Sequence, residues 1–428
     1  MSGLGGRARA LALRLLDAAG APRDSRGRAA WFARITYCAA VAMCVTGFVV
    51  SASRLSVWEP IKAPLAGVSD IVTHYTVYVL FVTLALDMYA RGLTVRRAAF
   101  IALGAVLVQV ISSAYYYDES LVRLYWLAAA YPGGLELRVP VRVVWVTGAV
   151  LTCANGVAAL VGGITQTQLY HDAGGMWWSL GFTSTHLLSS TGSLLLVAWM
   201  LDRSRSWRWW HAVVALGCAG LLWAVSGGGA PLVAALVMLG GIVWCEAVDA
   251  DGRQGVRVPT TVVTCVRSAL AGVASYGCAA CALVMWCLAR LARSGAGGAL
   301  FNAANALTGG RMEVWALSFA NTAPHLYAQK ASLPANFEGG YASCAVRWGW
   351  IVLVAWAVTC VMAGRRLSRQ GNRYAVLCLA VLTVLGLWEM HGMTAATNVS
   401  VLIVGSAVSM LGMETGREDS AETVRQDA

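Results

Sequence analysis

The sequence predicts an all-α, polytopic membrane protein of about twelve transmembrane helices with one long extracytoplasmic loop. Three observations predict it. Only 12% of the 428 residues are charged, about half the ~25% of an average soluble domain. Hydrophobic residues make up 58% of the chain and the mean hydropathy is +0.63, so too few charges remain to coat a soluble globule. Apolar runs of about 17 to 22 residues recur, each long enough for a hydrocarbon core about 30 Å thick. Together these exclude a soluble enzyme, a secreted disulfide scaffold and a disordered chain.

Residues 1–30 contain Arg7, Arg9, Arg14, Arg23, Arg26 and Arg28. The stretch Ala8–Ala19 is amphipathic and broken by Arg14, which reads as a cytoplasmic basic segment lying on an anionic leaflet. The transmembrane domain, 31–413, carries spans at about 31–53, 71–90, 97–114, 120–134, 143–163, 183–201, 211–227, 230–247, 263–290, 346–363, 374–391 and 397–413. The fourth is short and carries Arg123. Residues 414–428 form a polar tail, read as a disordered cytoplasmic end.

Charge parity decides whether the fourth span crosses. If it does, and the N-terminus is inside, the internal loops hold Arg91/Arg96/Arg97, Arg138/Arg142, Arg203/Arg205/Arg208, Arg253/Arg257 and Arg365/Arg366/Arg369/Arg373. If it does not, the last four clusters move outside, against the positive-inside rule. Both termini are therefore expected in the cytoplasm. The formal charge of +11 is explained by these loops and by lipid phosphate, without a nucleic-acid partner. The 12 cysteines lie mostly inside apolar runs. The Cys278–Cys281 pair sits within one membrane helix, so neither a disulfide framework nor a metal site is expected.

The same parity places three segments outside: 164–182, Ser226–Ala230 and the long loop 292–345. Loops in compact bundles are usually brief, so the last is the leading functional segment. After Gly309–Gly310, residues 311–327 have amphipathic helical spacing. Arg311 would open that helix, where free N–H groups and a guanidinium fork suit a phosphate or pyrophosphate. It could equally snorkel to headgroups. His325 lies about four turns on, about 21 Å along a straight helix, so a break around Asn321–Pro324 is needed for both to reach one substrate. Downstream, Glu338 suits a base and Tyr341 a sugar-stacking ring, with Lys330 and Arg347 as further cations. Glu389, near the end of the eleventh span, is a carboxylate in apolar surroundings, with His391 and Asn398 close by. His171 and His186 fall on the same face. His211 reads as an interface anchor beside Trp207–Trp210, and His74 and Asp87 as packing or polar-network residues.

The order of these features resembles the Wzy-type polysaccharide polymerases of the O-antigen ligase/polymerase superfamily. The matching residues are Asn305-Ala-Leu-Thr308-Gly-Gly-Arg311, His325–Gln329, Glu338-Gly-Gly-Tyr341, Trp348-Gly349, Glu389 with Asn398, and the Ser179–Phe182 patch. The resemblance covers roughly residues 164–400. It departs where the family has an Arg and this chain Trp177, where a His-Pro-Asn-like element reads Ser184-Thr185-His186, and where a Ser-Arg-Thr-type turn reads Ser226-Gly227-Gly228-Gly229.

The resemblance implies a GT-C-like fold in the bacterial cytoplasmic membrane. It implies transfer of a glycan from undecaprenyl pyrophosphate to another lipid-linked repeat unit, without a cofactor. A chain-length regulator and a flippase would be its partners. Catalytic roles would fall to Arg311, His325 and Glu338; substrate-binding roles to Tyr341, Lys330, Arg347, His171, His186 and Glu389. A polysaccharide ligase has the same catalytic needs, and a lipid-linked oligosaccharide flippase or other transporter would share the topology.

Overall fold

The computed structural model describes residues 24–54, 59–114, 119–162, 168–170, 176–254, 260–294, 298, 301–302, 305, 325–326, 340–387 and 397–411. The chain begins with α1 (Ser25–Ala52), α2 (Glu59–Arg91), α3 (Val95–Ala114), α4 (Glu119–Ala129) and α5 (Arg138–Leu160). Two strands follow, β1 (Gln168–Tyr170) and β2 (Met176–Trp178), then α6 (Thr185–Arg203), α7 (Trp209–Ser226), α8 (Ala230–Gln254) and α9 (Thr260–Ser294). The last described helices are α10 (Gly340–Arg347), α11 (Trp350–Arg369), α12 (Arg373–Leu385) and α13 (Ser400–Ser409). Seven of these, α1, α3, α5, α7, α8, α9 and α11, are long and apolar enough to cross a membrane. The chain is a multi-pass, essentially all-α membrane protein. Among the described residues the strands are confined to one antiparallel hairpin, Gln168 opposite Trp178 and Tyr170 opposite Met176, inside a segment expected to be loop.

The helices sort by length into a shell and a core. Long helices carry the exposed apolar side chains: Leu103 on α3, Leu221 and Trp223 on α7, Leu236 and Val243 on α8, Leu283 on α9. In hydrocarbon such surface costs nothing. Short helices sit inside. Every residue of α13 is buried, as are all of α10 except Arg347. At eleven residues α4 is about 16 Å long, about half a hydrocarbon core. Half-length helices and irregular backbone persist at membrane depth only where protein surrounds them. The 19-residue α6 is the polar member of the core, with Ser189, Ser190, Thr191 and Ser193 all buried. Small residues let its neighbours close in: Leu195 of α6 packs against Gly148 of α5, and Leu222 of α7 against Gly192.

Hydrogen bonds and ion pairs gather four basic clusters, those at Arg91–Arg97, Arg138/Arg142, Arg203–Arg208 and Arg365–Arg373, at one end of the bundle. Asp87, near the end of α2, is fully buried and pairs with Arg97 of α3 at 2.7 Å. It also accepts from the Gly133 N–H at 3.2 Å, while Arg97 donates to the Tyr131 carbonyl at 3.0 Å. Residues 131–133 follow α4, so the half-length helix brings the chain back to the end where α2 stops and α3 starts. The fourth span thus returns to the basic end as a short helix plus a turn, rather than as the continuous helix expected over 120–134. Next to it Arg142 makes a two-pronged pair with buried Asp202 at the end of α6, at 3.1 and 2.9 Å. Glu136 approaches Arg205 at 3.8 Å. Arg366 donates to the Met410 carbonyl and Thr94 to that of Leu411, which draws the ends of α11 and α13 to the start of α3. Asp87 is the polar-network residue anticipated from sequence. His211 is buried rather than interfacial: its Nδ1 accepts from the Arg208 N–H at 2.8 Å, capping α7, and its ring lies among Trp199, Trp207 and Trp210.

Removing one member of a buried pair strands the other charge, at a cost of about 3–5 kcal/mol. Asp87→Ala is therefore expected to lower the detergent melting temperature sharply. The apolar double variant Asp87→Leu with Arg97→Met recovers most of the loss, as thermal unfolding of the purified variants would show.

Candidate functional site

The candidate site residues that the structure describes, His186, His325, Tyr341 and Arg347, lie at the other end of the bundle. There Gly349, at φ 85°, separates α10 from α11, a backbone conformation that favours glycine. No side chain caps α11. Its first N–H groups are satisfied by a segment distant in sequence instead: Trp350 donates to the His325 carbonyl at 3.0 Å and Ile351 to that of Leu326 at 3.2 Å. These bonds pin the backbone at His325 to the mouth of α11 and leave its side chain exposed. Half-buried Arg347 closes the last turn of α10, where the helix dipole favours a cation. Two expected site residues, His325 and Arg347, therefore share one junction.

Tyr341 does not play its expected part. It is 1% exposed, and its hydroxyl donates to the Thr383 carbonyl at 2.7 Å. That carbonyl is in the last turn of α12, where backbone acceptors run out of helical partners. The neighbouring Gly340 N–H donates to Gly386 at 2.9 Å. Tyr341 thus caps α12 from inside the core and has no face to offer a sugar. The same helix holds Cys344 free and buried, and burial pushes its thiol well above the ordinary range.

A second group surrounds the start of α6. Ser184 caps the helix, its hydroxyl accepting from the Leu187 N–H at 3.2 Å, and His186 is exposed in the first turn. The preceding Ser179–Phe182 turn is strained, with Leu180 at φ 44°. It is held by Asn155 of α5, which donates to the Leu180 carbonyl at 3.1 Å. The end of α1 also ties to it, through Arg54 N–H to Gly181 at 2.7 Å and Thr183 N–H to Ala52 at 3.0 Å. Trp177 packs on Gly227 so closely that a Cβ there would lie 2.1 Å from the indole, and one on Gly228 would lie 2.2 Å from the Ser189 hydroxyl. Two departures from the family pattern, Trp177 and the glycine turn, are therefore one packing feature. Sequence reasoning missed what lies beneath. Thr185, Ser189, Ser190 and Thr191 of α6 and Thr152 of α5 have buried hydroxyl oxygens without a hydrogen-bond partner among the described residues. The Ser189–Ser193 run inside an apolar helix was the available signal.

The third feature is an apolar groove. A cavity of about 400 Å³ runs between α3, α4, α11 and α13, lined by Leu103, Leu107, Leu124, Val352, Met362 and Val404 among others. Cys344 and Trp348 close it at the α10–α11 junction, so its upper end abuts the segment bearing Arg347 and the His325 tether.

Arg311, Glu338, Lys330, His171 and Glu389 lie outside the described residues, as do His391, the amphipathic stretch Ala8–Ala19 and the 414–428 tail. Asn398 lies two residues before α13, its side chain accepting from the Ser400 N–H at 2.9 Å. Among the described residues no cluster of three or more His, Cys, Asp or Glu is arranged to hold a metal. Comparison with protein-family models, curated proteins and solved structures gives no match to this chain.

The two kinds of residue separate experimentally. Tyr341→Phe is expected to cost about 1 kcal/mol of stability through the stranded Thr383 carbonyl, whereas His325→Ala, which keeps the backbone tether, leaves the melting temperature unchanged. Melting curves of both variants in one detergent check this.

Proposed function

We propose that the chain is a membrane glycosyltransferase that polymerises undecaprenyl-pyrophosphate-linked repeat units into a surface polysaccharide. In this reading about twelve passes in a GT-C-like arrangement sit in the bacterial cytoplasmic membrane. The basic end faces the cytoplasm under the positive-inside rule, with both termini there, and the His325–Arg347 end faces out. The observation that carries the reading is the apolar groove of about 400 Å³ ending at the junction that bears His325 and Arg347. A lipid-linked sugar needs such a pair, a dry slot for the tail and polar groups where the tail stops. The resemblance of residues 164–400 to Wzy-type polymerases adds to it.

The chemistry asks little more. The acceptor hydroxyl attacks the anomeric carbon of the donor glycan, and the bond from that carbon to the pyrophosphate oxygen breaks. The proton passes to a base, His325 or Glu338, and the lipid pyrophosphate leaves as a stable anion held by Arg311. Cations aimed at that developing charge are the main catalytic resource, and no nucleotide or metal is required. The lipid-linked unit is the substrate, with a flippase and a chain-length regulator as partners.

A flippase is the second reading, favoured by the buried hydroxyls of α6 that have no partner among the described residues: polar groups within a central helix suit a passage for sugars. Deleting the gene separates the readings. Surface glycan reduced to single repeat units is expected. Lipid-linked units accumulating inside the cell would point to a flippase, and intact polymer left on its carrier lipid to a ligase. Charge-assisted hydrogen bonds contribute about 1.5–3 kcal/mol, so Arg311→Ala is expected to lower polymer formation about ten- to hundredfold. Unchanged polymer from a well-expressed variant would remove Arg311 from the site.

A further inference from the structure

The basic end holds a cavity unconnected with the groove. It measures about 160 Å³ and is lined by Arg267 and Leu270 of α9, Trp244 of α8, Ser368 of α11, and Arg373 and Val376 of α12. Arg267 lies within the apolar stretch of α9 that is long enough to cross a membrane. Several arginines at this end are engaged. Arg97 pairs with Asp87 and Arg142 with Asp202, Arg365 donates to the Tyr276 hydroxyl, and Arg366 to the Met410 carbonyl. Arg267, exposed, has no hydrogen-bond or ion-pair partner among the described residues.

A guanidinium kept in an apolar helix and aimed into a cavity with a second guanidinium calls for an anion. The planar forks of Arg267 and Arg373 match the oxygens of a phosphate, and Ser368 adds a hydroxyl donor. The cavity also lies at the N-terminus of α12, whose dipole favours negative charge. The remaining wall, Trp244, Leu270 and Val376, is apolar. This mixed lining distinguishes the sources of phosphate: a free anion has no use for the apolar wall, whereas a phospholipid places glycerol and the first acyl carbons there. Arg267 lies two turns into α9, close enough to the end of that helix for an arginine to reach lipid phosphate by snorkelling.

We propose that this cavity binds the headgroup phosphate of an anionic phospholipid from the leaflet at the basic end, with Arg267 as its principal contact. The site stands at the opposite end from His325 and Arg347 and does not depend on the glycosyltransferase reading.

The test uses the full chain in nanodiscs of phosphatidylcholine with a minor share of phosphatidylglycerol, and native mass spectrometry of the released protein. Wild type is expected to retain one phosphatidylglycerol. Arg267→Gln should reduce that retention about tenfold, and Arg267→Lys only in part. Arg290→Gln changes a cation on the same helix that stacks on Trp286, and should have no effect. Equal retention by wild type and Arg267→Gln would overturn the proposal. Displacement of the lipid by millimolar inorganic phosphate would also overturn it, by making the occupant a free anion. If Arg267→Gln does not fold, Arg373→Gln, placed on the other side of the cavity, carries the same expectation.

Discussion

Asp87 is the charge around which one end of this bundle closes. Fully buried, it holds Arg97 at 2.7 Å and the Gly133 N–H at 3.2 Å, and Arg97 in turn holds the Tyr131 carbonyl. Those contacts join three chain segments that hydropathy alone leaves independent. They bring an eleven-residue helix, too short to span hydrocarbon unaided, back to the end from which α3 departs. Everything downstream inherits its direction from that return. Without it the pairs Arg142–Asp202 and Glu136–Arg205 would not form, because α5 would start at the wrong end.

The two ends are built from different materials. The basic end is closed by paired charges and by caps of arginine and histidine. The other end is closed by backbone: carbonyls at 325–326 cap α11, the Gly340 N–H meets Gly386, and Ala52 and Arg54 bridge to the turn before α6. This closure leaves the His325 and His186 side chains exposed and Arg347 half-buried. The buried hydroxyls of α6 lie just beneath. Charge is spent on architecture at the basic end, which gives physical content to the scarcity of charge in the composition.

Much of the fold was legible in the sequence because hydropathy reads burial in lipid directly. A helix occurs in each of the twelve apolar stretches, and the arginine clusters that the structure describes share one end. What escaped was whatever depends on pairing across the chain. Nothing local marks Tyr341 as the cap of α12, since a tyrosine beside Trp348 and Trp350 reads equally as an interfacial belt. Nothing links His325 to Trp350 until the backbone bonds are seen. Trp177 and Gly227 read as two separate departures from a family pattern, yet the indole occupies the space that a glycine leaves. Of the expected site, His325, His186 and Arg347 lie at the anticipated end and Tyr341 is structural. Arg311, Glu338, Lys330, His171 and Glu389 lie outside the described residues.

The half-length fourth helix returns the chain to the basic end, and the central proposal is that this end faces the cytoplasm with the His325 junction outside. Single-cysteine variants in a background without native cysteines test it with a membrane-impermeant thiol reagent on intact cells. Glu136 and Leu326 are both exposed and report on the two ends. The expected result is labelling of Leu326→Cys in intact cells and of Glu136→Cys only after permeabilisation. Labelling of both variants from outside, or of Glu136→Cys alone, would contradict the account.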